Sequence, residues 1–512
     1  MQINQRKAGV LLNYGNEAIR ILTALLYTPL MLRLLGQSEY GLYQLVSSTV
    51  AYLSLLSLGF GSAYVRYHAR YYVKNDVAGI ARLNGMFLII FCTMSALCLV
   101  CGGVMIANAH LLFGDGLTDA ELAKAKVLMV ILIISMAISF PNSVFSSYVT
   151  AYEKFVFQKA LIIIQSLLNP CLALPLLLLG YDSVAVVAVS ASLTLLVFLL
   201  NGYFCLKQLR MRFSFKGLEY ALLKEMWAFT FFIFLNQIID QINWSVDKFL
   251  LGRMVGTTAV AVYGVGGQIN SMYLQMSSSV STVFVTRVNQ IVAESDDNAL
   301  LTKMMARVGR IQFLILALIV TGFIFFGQAF IALWAGEAYK DAYYVTLLLL
   351  IPVTVPLIQN LGLEIQRAKN KHRVRSIVFT ILALLNVVLS VFLIQRWGCV
   401  GAAVGTAASL ILGNGLFMNW YYHAKLDLNM VVFWKEIVRM LPGLLIACLF
   451  GLIYVFFVQI HSWLALLLSA VLYTVVYAAL MWLLGMNDYE KNLVLKVLGK
   501  LPGVKKRNDQ HR

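Results

Sequence analysis

Charge is scarce in this chain: Asp, Glu, Lys and Arg make up only 12% of its 512 residues, against roughly 25% in an ordinary globular protein. A soluble chain of that length would form about three domains and would need charge to cover them. The shortage excludes a soluble enzyme, a nucleic-acid-binding module and a disordered scaffold. Acidic residues are scarcer than basic ones, 23 against 40. The net charge of +17 resembles a nucleic-acid signal until the basic residues are placed, because they sit in short segments between apolar runs. Cysteine is also sparse. The residues at 92, 98, 101, 171, 205, 399 and 448 lie inside or at the ends of apolar runs. Cys98-Leu99-Val100-Cys101 has a CxxC spacing but lies inside an apolar run with no second Cys or His pair at ligand spacing, so neither a disulfide framework nor a metal site is expected, and no cofactor. A cleavable signal peptide is not expected either. The first apolar run, from about Val10, is too long for an h-region and lacks a small-residue cleavage site.

What is present is apolar: 61% of the residues, with a mean hydropathy of +0.81. A membrane-spanning helix needs roughly 20 such residues. Fourteen stretches qualify: 8–32, 41–64, 83–107, 126–149, 160–179, 183–205, 226–249, 259–285, 310–334, 343–365, 376–395, 400–422, 437–458 and 463–485. The second, seventh and eighth are interrupted by Ser, Asn, Gln and Gly, a pattern that suits a helix facing a cavity better than one facing lipid. With the N-terminus in the cytoplasm, 32 of the 40 Lys and Arg fall on the inner side and 6 on the outer. That split follows the positive-inside rule and places both termini in the cytoplasm. The longest outer loop, about 108–125, is too short for a folded external domain.

The first six stretches resemble the next six. Gly36 pairs with Gly252, Arg66 with Arg287 and Pro141 with Pro356. Leu167-Leu168-Asn169 pairs with Leu384-Leu385-Asn386, and Ala191-Ser192-Leu193 with Ala408-Ser409-Leu410. Six is even, so the two copies share an orientation, as in transporters whose parallel repeats enclose the substrate between two lobes. The expected architecture is all-α: a polytopic membrane protein of fourteen transmembrane helices. It has one six-helix lobe at 1–215, a second at 216–430, two additional spans within 431–485 and a basic cytoplasmic tail at 486–512.

One segment is more specific. It runs Leu32-Arg33-Leu34-Leu35-Gly36-Gln37-Ser38-Glu39-Tyr40-Gly41-Leu42-Tyr43, and is followed by Leu55-Leu56-Ser57-Leu58-Gly59-Phe60-Gly61 and Arg66-Tyr67. With the basic Arg6-Lys7-Ala8-Gly9 before it, this resembles the bacterial polysaccharide-export flippases. These are the O-antigen and capsule repeat-unit translocases of the multidrug/oligosaccharidyl-lipid/polysaccharide exporter superfamily. The resemblance is sharpest over about residues 5–85. It implies two lobes in a V, with spans one, two, seven and eight lining the cavity. It also implies a short oligosaccharide on undecaprenyl pyrophosphate as the substrate.

Ionisable groups within spans persist only when paired, solvated in a cavity or useful. Asn13, Glu17 and Arg20 share one face of span one, and Asn236, Asp240, Asn243 and Asp247 share one face of span seven. These are spans that the resemblance places at the cavity. One reading has Arg20, with Asn13 and Tyr14 beside it, meeting an anionic substrate while Asp240 or Glu17 carries a proton or cation. Asp240 has no basic neighbour one turn away and is the preferred coupling residue. The other reading makes Glu17 and Arg20 a static ion pair. Asp247 and Lys248, near the outer end, read as an interfacial anchor. Arg66, Arg70 and Arg287 end spans two and eight, where they either clamp a pyrophosphate or mark topology. The run from Arg367 to Arg375 reads as topology and headgroup contact, and His68, between Arg66 and Arg70, as solvated. Tyr14, Tyr43, Tyr263 and Tyr273 either stack on sugar rings or pack.

The leading expectation is a lipid-linked oligosaccharide flippase, not an enzyme, in the bacterial plasma membrane. A coupling ion and a polysaccharide polymerase are its expected partners besides the substrate. A multidrug or cation antiporter would want an acidic, aromatic cavity without Arg20. A membrane-embedded polyprenyl-linked glycosyltransferase or polymerase would want a larger outer loop, and a channel would want a filter-like loop.

Overall fold

The computed structural model describes residues 5–217, 220–281, 284–369, 371 and 373–498, and every regular element among them is helical. They cluster into two compact units, 1–268 with 373–409, and 269–372 with 410–512. The chain begins with α1 (Gln5–Leu35), α2 (Gln37–Val50), α3 (Phe60–Val73), α4 (Val77–Ala107) and the short α5 (Ala109–Phe113). It continues with α6 (Asp119–Ala151), α7 (Phe155–Leu178), α8 (Ser183–Tyr203), α9 (Tyr220–Met254) and α10 (Thr257–Ser281). Gly36, at φ +77°, breaks the helix between α1 and α2 in a conformation that glycine reaches most easily. Polar side chains close the exposed helix starts. Asp76 caps α4, Asp182 caps α8, and Thr118 with Glu121 forms a capping box at α6. In the first unit α6 is central, packing against α2, α3, α4 and α8.

The remaining helices are α11 (Val285–Glu294), α12 (Asn298–Trp334), α13 (Ala342–Ile358), α14 (Asn360–Ala368) and α15 (Arg373–Leu410). Then follow α16 (Met418–Lys425), α17 (Met430–Val438), α18 (Leu441–Phe457), α19 (Trp463–Leu480) and α20 (Asp488–Leu498). In the second unit α12 is central, packed on α13, α17, α18 and α19. A cluster of Phe326, Met440, Ala447, Leu466, Tyr473, Tyr477 and Met481 joins α12 to α18 and α19. Below it Arg310 of α12 is 3% exposed. It bonds Glu490 of α20 through Nε at 2.6 Å and Nη2 at 2.9 Å. It also donates to the backbone carbonyls of Glu436 and Gly485. This buried knot ties α20 to α12 and α17.

The chain is a multi-pass membrane protein. Nine described helical stretches are long and apolar enough to cross a membrane, or eleven if two bent pairs, α13 with α14 and α17 with α18, each count as one span. Over their described residues the fourteen expected stretches are largely helical, and the difference in number has two sources. The stretch from 374 to 425 holds two expected spans on either side of a kink at Gly398. In α9 and α10, polar residues dilute the apolar character that the other spans have.

Candidate functional site

Apolar helices leave their polar side chains only one another as partners, and in the first unit those partners converge on Asp247. Its carboxylate is 2% exposed. Oδ2 accepts from Tyr263 Oη and Thr406 Oγ1, each at 2.6 Å, and Oδ1 accepts from Ser390 Oγ at 3.0 Å. Asn386, one turn from Ser390 on α15, donates to Thr406 Oγ1 at 3.3 Å and stands 3.2 Å from Ser390 Oγ through its own oxygen. The ring of side chains closes because the two arms of α15 pack tightly across the Gly398 kink. A Cβ added at Gly405 would lie 2.6 Å from Ser390 Oγ, and one at Gly401 would overlap the Leu393 carbonyl. This corrects the sequence expectation: Asp247 is not an anchor at the membrane surface but the acceptor at the centre of a buried hydroxyl cluster. Among the described residues no cation pairs with it. Neutral donors stabilise a buried carboxylate without neutralising it, so the arrangement suits a carboxyl that takes up a proton or a small monovalent cation. Among the described residues no group of three His, Cys, Asp or Glu is placed to hold a metal ion.

A second cluster joins the N-terminal ends of α2, α6, α8 and α10. Ser38 Oγ donates to Glu121 Oε1 at 2.6 Å and lies 3.0 Å from Thr257 Oγ1. Thr257 Oγ1 donates to the same Glu121 oxygen at 2.8 Å. Glu39 accepts from Lys124 Nζ at 3.0 Å and from the Ser183 hydroxyl, while Lys124 also pairs with Asp182 at 2.9 Å. Burial works against ionisation of Asp182, but the Lys124 ammonium and the Val184 amide outweigh it and hold the carboxyl below its ordinary range. Gly41 lets α2 reach the start of α10, since a Cβ there would overlap the Thr257 carbonyl. The Gln-Ser-Glu-Tyr-Gly segment is therefore a tie between the N-terminal ends of these helices.

The other sequence candidates are dispersed. Glu17 and Arg20 form an ion pair at 3.6 Å, with the Arg20 side chain half exposed. Asn13 accepts from Lys159 Nζ of α7 at 2.7 Å. The side chains of Tyr14, Asn236 and Asp240 lie outside the described residues. Arg66 is exposed. Arg70 makes a two-pronged contact with Glu225 of α9 at 2.8 and 3.2 Å and covers the Tyr67 ring. Arg287, in the second unit, is exposed and donates to Gln290 at 3.3 Å. Within the Arg367–Arg375 run, Lys369 pairs with Asp296 at 2.7 Å, and Lys371 Nζ donates to the Lys425 carbonyl at 2.7 Å. Tyr263 and Tyr273 are buried and engaged with Asp247 and Thr354. His68 is not solvated. It is 1% exposed among Tyr64, Tyr72, Tyr148 and Tyr152, which cover the ring from several sides.

Known proteins resemble this chain over most of its length. The family model described as "Polysaccharide biosynthesis protein" matches residues 8–288. The "Uncharacterized membrane protein EpsK" of Bacillus subtilis (strain 168) is 22% identical over 492 residues, covering 93% of this chain and 95% of that protein. The "Putative O-antigen transporter" of Shigella flexneri is 21% identical over 419 residues, covering 80% of this chain and 96% of that protein. Among solved structures, "Lipid II flippase MurJ, inward closed conformation" superposes with a TM-score of 0.72 at 14% identity, covering 95% of this chain and 99% of that one.

Proposed function

We propose that this chain, which belongs to the polysaccharide biosynthesis protein family, flips an oligosaccharide linked to undecaprenyl pyrophosphate across the bacterial plasma membrane. Alternating access between two lobes, fourteen crossings and cytoplasmic termini belong to the same reading. The observation that carries it is the conjunction of that family with a fold like that of a lipid II flippase. Membrane-embedded polar groups, Asp247 foremost, supply what a coupled transporter needs and a passive scaffold does not.

In this reading Arg20, Asn13 and Tyr14 line the path of the anionic headgroup, and Arg66, Arg70 and Arg287 receive it at the inner side. Asp247 is the coupling acid that the geometry favours, with Asp240 and Glu17 the alternatives that the sequence favours. Glu17 is the weaker of those two, because it is already engaged in an ion pair with Arg20. The polymerase that elongates the delivered units is the proposed partner on the outer side. The test is a deletion strain. Loss of the gene should stop surface polysaccharide and leave lipid-linked repeat units on the cytoplasmic leaflet, with both effects reversed by the intact gene. Repeat units that still reach the outer leaflet at the normal rate would refute the proposal.

A further inference from the structure

Lys248 follows Asp247 on α9, so the two side chains leave the helix about 100° apart. Asp247 turns to α10 and α15. Lys248 crosses instead to α2, where its Nζ donates to Gln44 Oε1 at 2.9 Å. It is partly buried and does not reach out to the membrane surface as an anchor would. Gln44 is itself aimed: its amide nitrogen donates to Tyr40 Oη at 2.8 Å, and Tyr40 is 1% exposed. Among the described residues no carboxylate lies within ion-pair distance of Lys248. A lysine within a span, met only by a neutral amide, leaves two of its three donors uncommitted. Such a group is costly to retain unless a ligand or pathway uses it.

We infer that Lys248 is a binding residue for the diphosphate of the substrate, covered by Gln44 in this arrangement and uncovered when α2 and α9 part. The inference rests on the flippase reading and adds to it the residue that meets the charged group toward the outer side. A neutral cover suits that role. A carboxylate at position 44 would hold the ammonium permanently, whereas an amide yields to a doubly charged anion that pairs with it better. Lysine presents a compact charge on a flexible stem, and so can follow a headgroup that moves.

The test uses the full chain in detergent with farnesyl diphosphate, farnesyl monophosphate and farnesol as probes, read through fluorescence. Trp244, one turn before Lys248 and partly exposed, is a local reporter. The parent protein should prefer the diphosphate. Lys248→Met should weaken diphosphate binding by about tenfold, the size of one charge-assisted contact, and leave farnesol unchanged. Lys248→Arg should keep the preference. Gln44→Glu should mimic Lys248→Met although the lysine is still present, and it decides the matter if Lys248→Met does not fold. Unchanged preference in Lys248→Met or in Gln44→Glu overturns the inference. So does loss of the preference in excess phosphatidylglycerol, which would assign Lys248 to lipid headgroups. If the parent protein flips lipid-linked oligosaccharide and Lys248→Met flips it equally well, this inference fails alone. If the parent protein does not flip it, the flippase reading fails first.

Discussion

Replacing Asp247 by Asn keeps the shape of the buried cluster and removes its ability to take up charge. The carboxylate accepts from Tyr263 and Thr406 on one oxygen and from Ser390 on the other. An asparagine can turn its single oxygen to the first pair and point its amide at Ser390. That hydroxyl can then accept the amide and give its own proton to the Asn386 oxygen, 3.2 Å away. Each former partner of the carboxylate keeps a bond and no charge is stranded, so folding stability should change by about 1 kcal/mol, not by the ~3–5 kcal/mol that follows an uncompensated buried charge. The loss should fall on coupling. One carboxyl binds one proton or monovalent cation, and a tenfold gradient of that ion supplies about 1.4 kcal/mol, a tenfold shift in substrate distribution. The assay is substrate distribution between the leaflets of proteoliposomes under imposed proton or sodium gradients. The parent protein should respond by up to tenfold and Asp247→Asn not at all, with Tm preserved. A response that survives in Asp247→Asn would refute the assignment and leave Asp240 as the next candidate. A parental shift of about a hundredfold would mean two coupled ions and contradict a single acid.

Arg20→Ala should abolish export while leaving protein levels near normal, with partial recovery in Arg20→Lys because a point charge replaces a planar fork. If levels fall instead and Glu17→Ala/Arg20→Ala restores them, the pair is static. Arg310→Met should destabilise the second unit by about 3–5 kcal/mol by stranding Glu490, and Arg310→Met/Glu490→Gln should recover most of the loss in detergent melts. Reporter fusions at Asp115 and Lys340 should read outside and those at Asn75 and Asn370 inside; a reversed pair would contradict fourteen crossings.

The helices were legible because each needs only a local run of apolar residues, and nine to eleven described stretches are long and apolar enough to cross a membrane. Break points were less so. At Gly398, which reads as the middle of a short loop, the backbone does leave helical geometry, at φ +54°, but the close packing of the two arms on either side of it depends on Gly401 and Gly405. Asp247 was misjudged because a helical face shows what a residue sits beside on its own helix. Its partners Ser390 and Thr406 lie 143 and 159 residues away. A signal was present: Asn386 and Ser390 at one-turn spacing and Thr406 beyond Gly401 and Gly405 are polar or small residues inside otherwise apolar runs. Burial of His68 had a comparable sign in the tyrosines at 64, 67, 71 and 72 around it. Arg310 gave none, since at the start of an apolar run it is indistinguishable from a topology charge until α20 folds back upon it. The Gln-Ser-Glu-Tyr-Gly segment identified the resemblance correctly, but its chemistry as a tie depends on Glu121, Lys124, Asp182 and Thr257, which no local pattern connects.

Purified protein reconstituted into liposomes with a fluorescent oligosaccharide on undecaprenyl pyrophosphate measures the proposed activity most directly. Accessibility of the sugar to an impermeant quencher on the far leaflet is the readout. The account predicts protein-dependent exposure of the labelled lipid, lost in Arg20→Ala and made insensitive to the ion gradient in Asp247→Asn. Exposure no faster than in protein-free liposomes, with the protein folded and the gradient imposed, would contradict it.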